Sequence, residues 1–223
     1  MIFLFDEKAG SETLSIKGEN YKYLIKVRRH TVGDILAFRN PKQREMLHRY
    51  ELISIEPRAA LFALKESKEE PVNPPKELHI GWCVIDNKSI EKVLASLNEV
   101  GVSKISFIYC ERSQKNFKPD FKRFERIVEA SNQQCGRTHL MEFDTYKSLE
   151  EFIAEHKDVK VFDFCDKPLE CESDFATVLI GCEGGFSPKE KALLKKQEVF
   201  RLKTPMVLRS ESAALAVASK ILL

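Results

Sequence analysis

Leu179-Ile-Gly-Cys-Glu-Gly-Gly-Phe-Ser-Pro-Lys-Glu190 is the stretch that decides the fold. It closes an apolar run, residues 176–181, of the kind that makes a strand buried on both faces. Three of the chain's nine glycines then fall within five residues. Ser187-Pro-Lys-Glu190 follows and reads as a capping box with Pro188 at the first helical position. Strand, glycine-rich loop and capped helix in succession describe the carboxyl edge of an open α/β sheet, where ligands bind. Glycine there lets the backbone approach a ligand closely. The spacing is neither G-x-G-x-x-G nor G-K-[ST], so the dinucleotide and P-loop readings do not apply. A ligand loop is favoured over a plain tight turn.

Outward from this loop the chain alternates strands and helices. Residues 78–84, 104–110, 159–165 and 199–202 read as strands. Residues 88–100 read as a helix with Ile90, Val93, Leu94, Leu97 and Val100 on one face and Gly101 at its C-terminal cap. A second helix is expected from about Pro119, and a third opens on the capping box Ser148 to Glu151. From Ser210, read as its N-cap, an alanine-rich helix runs to the last residue. The pattern predicts a mainly parallel α/β sheet.

Two further segments stand at helix ends. In Leu202-Lys-Thr-Pro-Met-Val-Leu-Arg-Ser-Glu-Ser-Ala-Ala214, Arg209 and Glu211 bracket a helix N-terminus. Alone they read as ordinary surface charges. Glu129-Ala-Ser-Asn-Gln-Gln-Cys-Gly-Arg137 alone reads as a helix C-terminus with a cation on the dipole.

The first 65 or so residues differ. Short alternating runs at 35–38, 50–55 and 60–64, parted by turn residues, predict a small β-barrel. Residues 65–76, charged and with three prolines, read as a linker. The expected division is residues 1–68 and 73–223.

Composition narrows the classes. With 43% hydrophobic and 31% charged residues, a core is expected and wholesale disorder is not. No apolar run approaches the ~20 residues that span a bilayer. The N-terminus is too short and too acidic for a signal peptide, so a cytoplasmic protein with no membrane association is expected. Without export, the six cysteines read as reduced thiols, and the five histidines do not join them at zinc spacing, so no metal is expected. Net charge is only +2, but residues 20–50 carry eight Lys or Arg against Asp34 and Glu45. A second basic stretch holds Arg112, Lys115, Lys118, Lys122, Arg123 and Arg126. Two basic patches fit phosphate binding, and solvated faces are the bland alternative.

Together these segments resemble the 16S ribosomal RNA uridine-N3 methyltransferases, the RsmE family of the SPOUT superfamily. Gly181-Cys-Glu-Gly-Gly-Phe-Ser187 is similar to its G-P-E-G-G-[FL]-S loop, and Val207-Leu-Arg-Ser-Glu-Ser212 to its [IV]-L-R-x-E-T loop. Gln134, Gly136 and Arg137 match its E-Q-[CS]-G-R segment. Glu111-Arg112-Ser113 resembles E-R-[SC], Asn98-Glu-Val-Gly-Val102 resembles E-L-G-V, and Lys26-Val-Arg-Arg-His-Thr-Val-Gly-Asp34 resembles R-V-L-R-x-x-x-G-[DQ]. The chain departs from the pattern at Cys182 for proline, at Lys203 or Thr204 for glycine, at Met206 near a common arginine, and at Ser212 for threonine.

The resemblance implies a PUA-like N-terminal barrel and a C-terminal SPOUT domain with a trefoil knot, working as a homodimer on 16S rRNA in the assembled small ribosomal subunit. It implies S-adenosylmethionine as cofactor, held by Phe164, Ile180, Gly181, Cys182, Glu183, Gly184, Gly185, Leu202, Met206, Val207 and Leu208. It implies Arg209, Glu211 and Arg112 for catalysis, and Lys26, Arg28, Arg29, Lys115, Gln134 and Arg137 for RNA binding. A sibling methylating a ribose 2′-hydroxyl or a tRNA guanine, a non-catalytic RNA-binding relative and a small-molecule α/β enzyme are the competing readings.

Overall fold

The computed structural model describes residues 2–114, 116–170 and 175–223. These form two compact units, one of residues 1–73 with 132–139, the other of residues 74–131 with 140–223. The expected boundaries are thus refined in two places. The last strand of the first unit runs to Glu69, through the charged half of the expected linker. Residues 132–139, which lie beyond the linker in sequence, fold with the first unit.

The first unit is one curled sheet, β1 (Leu4–Phe5), β2 (Thr13–Lys17), β3 (Ile35–Asn40), β4 (Gln43–Ile55) and β5 (Ala59–Glu69), in the order β1-β3-β4-β5-β2. Register shifts at Arg49/Tyr50 and Leu52/Ser54 bend the long β4, as bulges do, and let one sheet wrap its own core. That core includes Leu14, Ile16, Leu24, Tyr50, Leu52 and Phe62, with Phe38 edge-on to Tyr50 and Phe62. Between β2 and β3 stand one helical turn, α1 (Gly18–Tyr21), and a π-helical turn over Lys22–Val27.

The second unit is a six-stranded, wholly parallel sheet. Its strands are β6 (His79–Cys83), β7 (Lys104–Ile108), β8 (Glu142–Tyr146), β9 (Lys160–Phe162), β10 (Thr177–Ile180) and β11 (Val199–Phe200). Its helices are α2 (Asn87–Val100), α3 (Phe121–Cys135), α4 (Leu149–Glu155), α5 (Pro188–Leu193) and α6 (Ser210–Leu222). The order is β11-β9-β10-β6-β7-β8. From β6 the chain winds outward through β7 to β8, and β9 to β11 lie on the other side. The winding therefore reverses between β6 and β10, where open α/β sheets bind ligands.

Local sequence explains most of the ends. Asp86 caps α2 by accepting from the Ser89 amide, and Gly101 ends it in the left-handed conformation. Ser148 accepts from the Glu151 amide, although the Glu151 carboxylate returns to the Lys147 amide and not to Ser148. Ser187 and Glu190 close the full reciprocal box. Two ends differ from expectation. Helix α3 begins at Phe121, with Asp120 accepting from the Arg123 amide, so Pro119 precedes the helix. Position 209, not 210, caps α6, and Ser210 is already helical. Strand β8 was not expected, since Glu142-Phe-Asp-Thr-Tyr146 carries too few apolar residues to stand out on a sheet edge. Among the described residues, no helix is long and apolar enough to cross a membrane.

Candidate active site

The loop after β10 is built by its neighbours. The Gly185 amide donates to Cys182 O at 2.9 Å, and Gly185 holds φ +62°, which suits a residue without Cβ. Phe186 is buried behind the loop. Glu190 does two things at once. Its Oε2 accepts from the Ser187 amide at 2.8 Å to cap α5, and its Oε1 accepts from the Glu111 amide at 2.7 Å. This fastens the loop after β7 beside the glycine loop. Arg112 completes the joint by donating from Nη1 to Gly184 O at 2.8 Å. A Cβ on Gly184 would come within 3.3 Å of Arg112 Cβ, so a larger residue here would push the Arg112 side chain back by a few tenths of an ångström.

The third wall is the loop between β11 and α6. The Thr204 amide donates to Leu202 O at 2.9 Å, and Thr204 Oγ1 accepts from the Met206 amide at 3.2 Å. The hydroxyl thus closes a local turn of its own. Ser210, expected as a cap, instead joins three elements. Its Oγ accepts from Trp82 Nε1 at 2.8 Å, at the end of β6, and donates to Gly181 O after β10. Trp82 is fully buried and its indole N–H can only donate, so this partner satisfies it.

These loops enclose a cavity of about 200 Å³. Of the eleven expected cofactor residues, Phe164, Ile180, Gly181, Cys182, Glu183, Gly185, Leu202, Met206, Val207 and Leu208 line it. Gly184 does not, because it turns toward Arg112. Several lining side chains are exposed although apolar: Phe164 and Val207 at 77%, Met206 at 66%. An unsealed apolar wall of this kind marks a ligand surface. Asp163, Glu183 and Arg201 supply charge around it. Burial pushes the Cys182 thiol above its ordinary pKa, so the residue acts here as a small apolar wall. The mix of flat apolar surface, backbone carbonyls and carboxylates fits an adenosine bearing a cationic sulfur.

Beside it lies a polar cleft lined by Asp86, Ser89, Gln114, Glu183, Val207, Leu208 and Arg209. Glu183, Val207 and Leu208 line both spaces, which are therefore contiguous. Asp86, Ser89 and Gln114 carry no motif that singles them out in sequence. They are brought here because β6 lies between β10 and β7 in the sheet. The Ser89 hydrogen bond holds the Asp86 carboxyl below its usual pKa.

Of the three expected catalytic residues, only Arg209 reaches a cleft. Arg112 is occupied in joining two loops. Glu211 is not a surface charge: it is 6% exposed, and its Oε2 has no hydrogen-bond partner among the described residues. Of the expected RNA residues, Lys26, Arg28 and Arg29 are exposed at the end of the π-helical turn, and Gln134 is exposed. Arg137 is 5% exposed, and burial lowers its pKa. Lys115 lies outside the described residues. The basic count of the first unit also shrinks on inspection. Arg39 is buried and donates to the carbonyls of Arg44, Glu45 and Glu70, and Arg49 pairs with Glu66 and Glu70. No group of three or more His, Cys, Asp or Glu is placed to hold a metal ion among the described residues.

Residues 72–222 match the protein family described as an RNA methyltransferase domain. The chain is 38% identical over 223 residues to ribosomal RNA small subunit methyltransferase E of Helicobacter pylori, covering 98% of each. It is 29% identical over 156 residues to the protein of the same name from Aquifex aeolicus, covering 66% of this chain and 68% of that one. Among solved structures, a putative methyltransferase from Legionella pneumophila in complex with SAM matches with a TM-score of 0.75 at 22% identity, covering 98% of this chain and 94% of that one. Ribosomal RNA small subunit methyltransferase E of Neisseria gonorrhoeae bound to S-adenosyl methionine matches at 0.72 and 17% identity, covering 98% and 95%. These two likenesses concern the fold.

Proposed function

This chain belongs to the RNA methyltransferase family, within its small-subunit ribosomal RNA methyltransferase E group, and from that membership we propose that it methylates N3 of a uridine in 16S ribosomal RNA with S-adenosylmethionine. One observation carries the reading. The apolar cavity after β9, β10 and β11 opens into a polar cleft bearing Arg209 at the point where the sheet reverses its winding.

When bound, the cofactor supplies an activated methyl group. Phe164, Ile180, Leu202, Met206, Val207 and Leu208 would hold its apolar part, with Glu183 between cofactor and substrate. The work left to the chain is positioning and proton handling. Uridine N3 carries a proton and is a weak nucleophile until it leaves. Arg209 stabilises the resulting imide anion, whose charge falls on N3 and the flanking oxygens. Gln114 offers its amide to the same base edge. Glu211, which lines neither space, orients Arg209 from the first turn of α6 or takes the proton through one intervening water, and Arg112 positions the glycine loop. The pH profile of Glu211→Gln separates the two roles: a lost ascending limb marks a proton acceptor, a uniform fall marks a positioning residue. The target base must be unpaired or flipped to enter.

On this reading the unit of residues 1–73 with 132–139 is a PUA-like RNA-binding domain and the unit of residues 74–131 with 140–223 a trefoil-knotted SPOUT domain. The enzyme is a cytoplasmic homodimer acting on the assembled small subunit. The test is incubation with labelled S-adenosylmethionine and small subunits lacking the modification, followed by mass spectrometry of the nucleosides. The expected product is 3-methyluridine. A different methylated nucleoside sinks the substrate assignment, and no product with no cofactor binding sinks the enzyme.

A further inference from the structure

We propose that the cleft at Tyr23 and Arg28 in the first unit seats one unpaired nucleobase of the RNA substrate, a proposal that rests on the RNA methyltransferase reading above. The cleft measures about 330 Å³ and is separate from the cofactor cavity. Leu24, Leu36 and Ala37 give it apolar walls, and Tyr23, Arg28 and His30 stand around it.

The backbone is unusual at this point. Residues Lys22–Val27 form a π-helical turn that closes with the Arg28 amide on Tyr23 O at 2.8 Å. Arg29 follows with φ +60°, the single non-glycine residue with positive φ among those described. Such irregular turns collect at functional positions, and this one presents Tyr23 and Arg28 together. Arg28 Nε donates to Tyr23 Oη at 2.7 Å, and its guanidinium carbon lies 5.4 Å from the ring centroid. The guanidinium is thus held in place. A fixed planar cation beside an aromatic ring is a stacking platform for a base.

The rim is not sealed. Ile2 and Ile35, which line it, are 60% and 55% exposed. Apolar exposure alone would suit several partners, and charge selects among them. Arg39 and Arg49 are consumed inside the unit, whereas Lys26 and Arg29, near the lining Arg28 in sequence, are exposed. An apolar slot flanked by free cations is complementary to a flat base on a polyanionic backbone. A duplex keeps its bases stacked and offers none to such a slot.

The test uses the full-length protein and fluorescence anisotropy with labelled single-stranded oligouridylate, a duplex of the same length, and a salt titration. Tyr23→Ala is expected to weaken single-strand binding about tenfold, within the range for one stacked base, with the salt slope unchanged. Lys26→Gln is expected to lower that slope by about 1. On small subunits, Tyr23→Ala raises the RNA KM and leaves cofactor affinity alone. Should Tyr23→Ala unfold the protein, Ile35→Ser, at the exposed rim, takes its place with a several-fold loss. Equal binding of duplex and single strand, or full single-strand affinity in both folded variants, overturns the seat. Wild-type protein that neither binds cofactor nor methylates RNA overturns the enzymatic reading instead, so the two failures are distinguishable.

Discussion

The carboxyl edge of the parallel sheet and the face of the same sheet beneath α4 both gather titratable side chains, and they treat them in opposite ways. Under α4 the polar groups face one another. His79 Nε2 meets Ser106 Oγ at 2.6 Å, Tyr146 donates to Glu155 at 2.7 Å, and Lys104 pairs with Asp144 at 2.7 Å. Phe152 packs among His79, Tyr146 and His156 and is fully buried. Asp144 keeps one buried oxygen unpartnered, but its charge faces Lys104. At the carboxyl edge, Phe164 and Val207 stay exposed, Arg209 is exposed, and Glu211 is buried with an unpartnered oxygen. The strongest histidine shift lies beneath α4, where burial drives His79 down to about 4. A perturbed pKa therefore marks packing there, and the open, incompletely satisfied edge marks the site.

The largest test of this contrast is Phe152→Ala. Loss of a fully buried ring is expected to cost about 3–5 kcal/mol in urea denaturation and to leave cofactor affinity of the folded protein unchanged. A fall in affinity without a fall in stability would merge the two regions. Arg209→Ala should do the reverse. Unfolding stability stays within about 0.5 kcal/mol, as for exposed positions. Methyl transfer drops about 10²–10³-fold, on the scale of one lost anion-stabilising donor.

Acid should act on the face beneath α4. The His79 pKa is depressed in the folded protein, so the unfolded chain binds more protons between about pH 6.5 and pH 4. Stability from neutral His79 is full above pH 6.5 and declines as pH falls through that window, by on the order of 3 kcal/mol at pH 4. Comparison of wild type with His79→Gln isolates the effect, and an equal slope in both removes it. The smallest expected effect is that of Ser210→Ala. It leaves the Trp82 N–H without its partner, for about 1–3 kcal/mol. Cofactor affinity should fall about tenfold while kcat at saturation changes little, as for a residue that positions the glycine loop. A change confined to kcat would place Ser210 in the chemistry instead.

The sequence by itself determined the features that depend on neighbours a few residues apart. The caps at Ser148 and Ser187, the Gly101 end of α2 and the glycine loop after β10 are matters of residues a few positions apart, and these could be read from the chain alone. Most of the order of strands and helices in the second unit followed, β8 excepted, because apolar runs and periodic faces are local too. Tertiary structure alone decided what reaches across the sheet. Ser210 meets Trp82, 128 positions away, only because α6 returns over β6 and β10. Asp86 and Gln114 share a cleft with Arg209 only because β6 lies between β10 and β7 in the sheet. Charge changed meaning for the same reason. Arg39 and Arg28 look alike in a basic stretch, but strand pairing buries one among carbonyls and a π-helical turn leaves the other beside an open cleft. Burial and partner choice are set by which segments become neighbours, and a residue's identity carries no record of the distant segment it will meet.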